Sequence, residues 1–338
     1  MANIELIEKL SNAFGVSGDE REVRNLIKDA IKGYVEGIFV DKIGNLVALK
    51  GMEKPGPKIM LNAHMDEVGL IVTKIDEKGF LFFKKIGGLD DRVLLGKRVV
   101  VGEKRVKGII GAKAIHLQQK DERSKTIEYK NLFIDIGTKS KDESEKLCAA
   151  GSYVMFDTQF EELSMGKYIG KSFDNRLGCA IVSELLTEEF NFPVIALFTV
   201  QEEIGLRGAS VGAYNYTPDI SVTLEGTISA DMPEIKDHLK VSRLGAGPVI
   251  TIKDRSVITD HQLREKMISV AKKQNIPFQF KQVVAGGTDS SKIQLTKSGV
   301  KVLVVAVPAR YIHSPVSLFY MEDYENTKKL VREFLKSI

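Results

Sequence analysis

The run Val194-Ile195-Ala196-Leu197-Phe198-Thr199-Val200 is almost unbroken by polar side chains. Successive side chains of a strand point to opposite faces, so a strand apolar at nearly every position is buried on both. Such a strand needs helices above and below it. The fold expected is α/β, with a mixed, largely parallel central sheet flanked by helices. Ile220-Ser221-Val222-Thr223-Leu224 and Val300 to Val307 have the same texture, and Lys58 to Ala63 reads as a strand leading to His64. Helical spacing links Leu6, Ile7 and Leu10, and again Leu177, Ala180, Ile181 and Leu185. A further helix follows Asp260 (Leu263, Met267, Ile268, Ala271), and a C-terminal one carries Tyr324, Val331, Phe334, Leu335 and Ile338. Ser17-Gly18-Asp19-Glu20 reads as a capping box ahead of the stripe Val23, Leu26, Ile27 and Ile31.

The texture changes after Val68. Leu70-Ile71-Val72, Phe80-Leu81-Phe82-Phe83, Arg98-Val99-Val100-Val101 and Gly108-Ile109-Ile110 are short strand-like runs. Gly79, Gly87-Gly88, Gly96, Gly102 and Gly111 punctuate them, and a second capping box, Ser140-x-x-Glu143, closes the stretch. The expected division is a catalytic α/β domain from residues 1–68 and 166–338, with a small β-rich, barrel-like domain inserted over 69–165.

Composition narrows the function classes. With 43% hydrophobic and 28% charged residues, the 338-residue chain reads as globular rather than disordered. Lys+Arg 49 against Asp+Glu 45 leaves +4, which is no nucleic-acid signature, and no basic run supports one. No apolar stretch approaches the roughly 18 residues of a membrane span. The N-terminus lacks the basic and apolar regions of a signal peptide. Two cysteines, Cys148 and Cys179, are too few for a disulfide framework and read as buried small hydrophobes. No nucleic-acid or membrane partner is expected, and the default compartment is the cytoplasm.

Of the five histidines, His64 and His313 follow strand ends. Glu202-Glu203 and Glu225 also follow strands, and Asp174 opens a helix. Ligands of open α/β sheets bind beyond the carboxyl ends of the strands, so these groups are expected on one rim. Imidazoles mixed with carboxylates suit zinc, cobalt or manganese. Two cations about 3.5–4 Å apart need a shared anionic ligand, and Asp174 at a helix start can offer both oxygens. Its plainer reading is an N-cap. One carboxylate would remain to take a proton. His238 and His261 lie among charged residues and read as solvent-facing, and His116 reads as structural or interfacial. Gly286-Gly287-Thr288-Asp289-Ser290 reads as a helix start that could line a pocket.

Four segments carry a family resemblance: Ala63-His64-Met65-Asp66-Glu67-Val68-Gly69, Ser172-Phe173-Asp174-Asn175-Arg176, Gln201-Glu202-Glu203-Ile204-Gly205 and Arg310-Tyr311-Ile312-His313-Ser314-Pro315. In this order they resemble the tetrahedral aminopeptidases, co-catalytic metallopeptidases that include glutamyl and deblocking aminopeptidases. The resemblance spans essentially the whole chain, the inserted β-rich domain included. It implies a peptide substrate and two divalent metal ions per subunit, zinc or cobalt. His64 and Glu225 would hold one metal, Glu203 and His313 the other, and Asp174 would bridge them. Many family members carry the shorter aspartate where this chain has Glu225. Asp66 would orient His64, and Glu202 would be the general base toward the water shared by the metals. Adjacent strand residues point apart, so the chain is expected to bend at Glu202-Glu203. The resemblance further implies an exopeptidase that reads the free α-amine. It also implies dimers built through the inserted domain and assembled into a tetrahedral dodecamer. Two rival readings are a glycosidase working through carboxylates roughly 5–9.5 Å apart, which would leave both histidines without a task, and an inactive peptide-binding shell.

Overall fold

A computed structural model of the chain describes residues 2–120, 122–284 and 286–338. The N-terminal part runs α1 (Ile4–Asn12), α2 (Arg21–Ile31), β1 (Gly37–Val40), β2 (Leu46–Lys50) and β3 (Ile59–His64). The middle runs β4 (Gly69–Ile75), β5 (Leu81–Ile86), β6 (Arg98–Val101), β7 (Val106–Gly111), β8 (Phe133–Asp135), α3 (Lys141–Glu145) and β9 (Tyr153–Phe156). The remainder begins with β10 (Glu161–Glu162), β11 (Lys167–Gly170), α4 (Phe173–Leu185), β12 (Val194–Thr199), α5 (Arg207–Tyr216) and β13 (Ile220–Ile228). It ends with β14 (Val249–Ile250), α6 (His261–Lys273), β15 (Gln279–Phe280), α7 (Ser290–Gln294), β16 (Lys301–Arg310), β17 (Ser317–Tyr320) and α8 (Met321–Lys336).

One mixed sheet has the order β1-β2-β12-β3-β13-β16-β17-β11-β10, with β14 against β16 and β15 against β14. Its centre, β12-β3-β13-β16, is parallel, and the flanking strands of that path are antiparallel. The apolar runs divide between the sheet's two faces. Val194, Ala196 and Phe198 join a core with residues of α1, α2, α4, α6 and α8, whereas Ile195 and Leu197 join one with residues of α5 and α7. Burial on both faces is the physical reason these strands carry so few polar side chains.

β4-β5-β8-β7-β6-β9 close into a six-stranded barrel with its own core, including Leu70, Val72, Leu81, Val99, Ile110 and Ile134. The barrel strands lie between Gly69 and Phe156; β10, which also falls within 69–165, pairs into the large sheet. A small cluster of Phe14, Val16, Val100 and Met155 joins the barrel to the N-terminal segment.

One capping expectation fails. Ser17 does not cap α2; its hydroxyl donates to Asp66 Oδ2 at 2.6 Å. α2 begins at Arg21 behind Glu20, whose side chain accepts instead from Gly18 N and Gln201 N at 2.7 and 3.1 Å. A buried carboxylate needs donors more than an exposed helix end needs an acceptor. At the other box, Ser140 does cap α3, accepting from Glu143 N at 3.3 Å.

Candidate metal centre

The sequence places chemistry at the carboxyl ends of the four parallel strands, and the structure assembles it there. His64 is the last residue of β3. Glu225 lies inside β13 rather than after it, because that strand continues to Ile228 beside β16. Glu202 and Glu203 follow β12, and His313 follows β16. The bend that brings both glutamates inward is at Gln201, one residue before the expected place, with a left-handed φ of 56°. The N–H groups of Glu202 and Glu203 then donate to Asp66 Oδ1 and Oδ2 at 3.0 and 3.1 Å. One buried carboxylate thus fixes two consecutive residues of the turn.

Asp174 precedes the regular turns of α4. Its own φ/ψ (−83°, 102°) is not helical, and it is joined to Asn175 by a cis peptide. Asn175 does the capping: its Oδ1 accepts from Gly178 N at 3.2 Å, and its Nδ2 donates to Leu224 O at 2.7 Å. The N-cap reading of Asp174 therefore passes to its neighbour, and both oxygens of Asp174 face imidazoles. Oδ1 lies 3.2 Å from His64 Nε2 and Oδ2 lies 3.6 Å from His313 Nε2. Gly226 makes room for this: a Cβ there would come within 2.8 Å of Asp174 Cα.

Three donor groups result, one of them His64, Glu202 and Glu203, and the other two share Asp174. His64, Asp174 and Glu225 offer atoms within 4.8 Å of one another, and so do Asp174, Glu203 and His313. His64 Nε2 stands 3.6 Å from Glu225 Oε2 and 4.0 Å from Glu202 Oε2; His313 Nε2 stands 3.7 Å from Glu203 Oε1. Each imidazole is oriented through its other nitrogen, as metal-binding histidines require. His64 Nδ1 lies 3.2 Å from the Asp66 carbonyl and 3.4 Å from its Oδ1. His313 Nδ1 lies 2.9 Å from the carbonyl of Gly88, in the barrel segment after β5.

The electrostatics favour positive charge. Burial works against a charged His64, but Glu202, Asp174, Asp66 and Glu225 outweigh it and hold the imidazole well above its ordinary pKa. Burial opposes charge on His313 too, yet Asp174 and Glu203 lift it to about 9. Conversely, burial lifts Glu203 to about 7 and drives Glu202 and Glu225 well up, and the neighbouring carboxylates add to the rise. Glu225 is 5% exposed, and its Oε1 has no hydrogen-bond partner among the described residues. A buried oxygen left so is costly; with two imidazoles and three acids around it, the set fits divalent cations of the zinc and cobalt type.

Several supporting residues were not legible as such in the sequence. Glu67 is 3% exposed and accepts from Lys171 Nζ at 2.8 and 2.9 Å, from Arg176 Nη2 at 3.2 Å, and from Ser172 Oγ. This buried network ties the residue after Asp66 to the segment carrying Asp174. Gly286, Gly287 and Thr288 line the cavity over the site, as expected of that segment. Asp289 instead lies fully buried, accepting from Thr199 Oγ1 and Asn62 Nδ2, and the helix after it, α7, has only five residues. His116, His238 and His261 are exposed and away from the cluster, and Cys148 and Cys179 are free and buried.

The profile of M42 glutamyl aminopeptidases matches residues 44–330. The chain belongs to the M42 glutamyl aminopeptidase family. It is therefore a peptide hydrolase, of the metal-dependent aminopeptidase class. The TET aminopeptidase of the marine-sediment archaeon Thaumarchaeota archaeon SCGC AB-539-E09 is 38% identical, with 99% of this chain and 96% of that one covered at a TM-score of 0.96. The TET1 peptidase of Pyrococcus horikoshii, which can assemble into a tetrahedron or a large octahedral shell, is 34% identical over 98% of each chain, with a TM-score of 0.86. A lysyl aminopeptidase of Pyrococcus furiosus is 32% identical over 100% of this chain and 98% of its own. The M42 assignment accounts for the barrel as well as the rim, since these structures align over nearly the whole chain.

Proposed function

We propose that this M42 chain is a dinuclear aminopeptidase that removes N-terminal residues from peptides, with Glu202 as its general base. The observation that carries the reading is Asp174, whose two oxygens face two different imidazoles. His64 and Glu225 would hold one cation, Glu203 and His313 the second, and Asp174 both. When bound, two zinc or cobalt ions acidify a water and polarise the peptide carbonyl. Glu202 belongs to neither group that shares Asp174, yet its Oε2 faces the same space, 4.0 Å from His64 Nε2. Its carboxylate takes the proton of the attacking water as oxygen bonds to the carbonyl carbon, and returns it to the nitrogen of the departing peptide. Asp66 is the positioning residue: it holds the amides of Glu202 and Glu203 and lies against His64. A glycosidase would leave the two imidazoles unexplained.

The catalytic domain comprises residues 1–68 and 166–338, and the 69–165 insertion serves dimerisation. Ile109, Ile115 and Leu117 of the barrel region are 47%, 67% and 61% exposed, an apolar surface suited to a second copy of the chain. Dimers assemble further into a tetrahedral dodecamer. The compartment is the cytoplasm, which accords with two free cysteines. Among the described residues no helix is long and apolar enough to cross a membrane.

The test is hydrolysis of aminoacyl anilides before and after chelation. Activity lost with chelator and restored by zinc or cobalt is expected. Glu202→Gln should keep its metal while turnover falls at least about 100-fold. Activity indifferent to chelation, or full turnover in Glu202→Gln, would overturn the reading.

A further inference from the structure

Ser17-Gly18-Asp19-Glu20, which fails as a helix cap, is folded against the turn that carries Glu202 and Glu203. The segment is pinned where it lies. Ser17 N donates to Glu67 O at 3.2 Å, Glu67 N to Gly15 O at 2.9 Å, and Asp19 N to Val16 O at 2.8 Å. Gly18 has a left-handed φ of 101°, and a Cβ there would come within 2.5 Å of Tyr153 Oη in the barrel. From this support Glu20, 4% exposed, accepts from Gln201 N at 3.1 Å. Three consecutive N–H groups, those of Gln201, Glu202 and Glu203, therefore donate to two buried carboxylates, Glu20 and Asp66. The Ser17 hydroxyl ties the same segment to Asp66.

A carboxylate taken out of water is destabilising unless a cation or several donors receive it. Glu20 makes no ion pair among the described residues; its hydrogen bonds come from the N–H groups of Gly18 and Gln201. A neutral side chain of the same shape would serve stability better. What the carboxylate secures is the backbone at Gln201. A left-handed φ is disfavoured for a residue with a Cβ and persists only where its surroundings enforce it. At this residue the chain leaves the line of β12, so that Glu202 and Glu203 both turn inward. Past it the turn closes on itself, with Gly205 N and Leu206 N donating to Glu202 O at 2.9 and 2.8 Å. Resting on the reading of Glu202 as general base, we infer that Glu20 is a positioning residue: by receiving the N–H of Gln201 it holds the bend that aims Glu202 at the attacking water. Glu20 does not line the cavity and belongs to none of the donor groups.

Metal-loaded wild type, Glu20→Met, Glu20→Asp and Glu20→Gln are compared on a leucyl anilide. Metal content is measured on the same samples, and amide exchange of residues 201–203 is followed by mass spectrometry. Glu20→Met fills the space without an acceptor. Glu20→Asp keeps the charge but draws it back by a methylene, and Glu20→Gln keeps an acceptor oxygen without the charge. Misplacing a reacting group by about 1 Å can cost about 100-fold in rate. Glu20→Met should therefore lower kcat by about 10- to 100-fold, with KM and metal content as in wild type. Its amides 201–203 should exchange at least about 10-fold faster. Glu20→Asp should move in the same direction, and Glu20→Gln should restore kcat and exchange together. A residue that only stabilises the fold would shift the melting temperature and leave kcat of the folded enzyme alone; that result would overturn the inference. Loss of metal, or a Glu20→Gln as slow as Glu20→Met, would overturn it too. If Glu20→Met does not fold, Glu20→Asp against Glu20→Gln decides by the same criteria. Exchange is read without turnover, which separates the two readings. Should Glu202→Gln prove fully active, faster exchange in Glu20→Met, reversed in Glu20→Gln, supports the hold on Gln201 while the general-base reading falls. Unchanged exchange in Glu20→Met beside an inert Glu202→Gln sinks the inference alone.

Discussion

Asp174 can face two histidines because its neighbour, Asn175, takes over the helix end. The consequence is that each cation site depends on a residue whose loss should not collapse the other. His313→Ala removes one imidazole from the group it shares with Asp174 and Glu203 and leaves the His64 group whole. Elemental analysis should then find about one tightly held ion per chain, against the two expected of wild type on the proposed reading. A second residue-scale consequence concerns Glu20. Burial lifts its carboxyl from 4.5 to about 7, against the hydrogen bonds it accepts. A folded pKa above the unfolded one means the native state binds more protons between those values. The contribution of Glu20 is therefore full below pH 4.5 and is lost as pH rises through about 7. Glu20→Gln has no such loss. Between pH 4 and 8, wild type should weaken relative to the variant by roughly 3 kcal/mol in chemical unfolding; parallel pH profiles would contradict this.

At the scale of elements, the buried network around Glu67 holds three segments together: the N-terminal stretch before α2, the end of β3 and the start of α4. Glu67→Ala would leave Lys171 and Arg176 buried without their counter-ion. Breaking a buried ion pair from one side costs about 3–5 kcal/mol, and equilibrium unfolding should show a loss of that size. How much of this was legible follows from the physics of each element. β3, β12, β13 and β16 announced themselves because burial on both faces leaves little room for polar residues. His64 and the two glutamates could be placed because they terminate such runs. β8 and β9 were missed: β8 is three residues long, and a short apolar run carries no period to read. Ser17 was misread because its local sequence satisfies a helix-cap pattern, whereas its real partner, Asp66, lies 49 residues away. The bend before Glu202 was expected, but its exact place at Gln201 left no signal, since a left-handed φ there is carried by a residue other than glycine.

At the scale of the whole molecule, the barrel and the α/β part each have a core, with the Phe14, Val16, Val100 and Met155 cluster between them. If the barrel makes the dimer contact, replacing Ile115 and Leu117 together by lysine should lower the mass seen by light scattering. Turnover of the remaining species should change little, because neither side chain lines the cavity. An unchanged mass would move the contact elsewhere. The carbonyl of Gly88 gives the two parts a deeper tie, because the barrel reaches back to steady the ring of His313. An inserted module usually leaves its host able to work alone. Here a host stripped of its insert would lose the brace of one imidazole, so excising the barrel would loosen the ring of His313 as well as remove a surface.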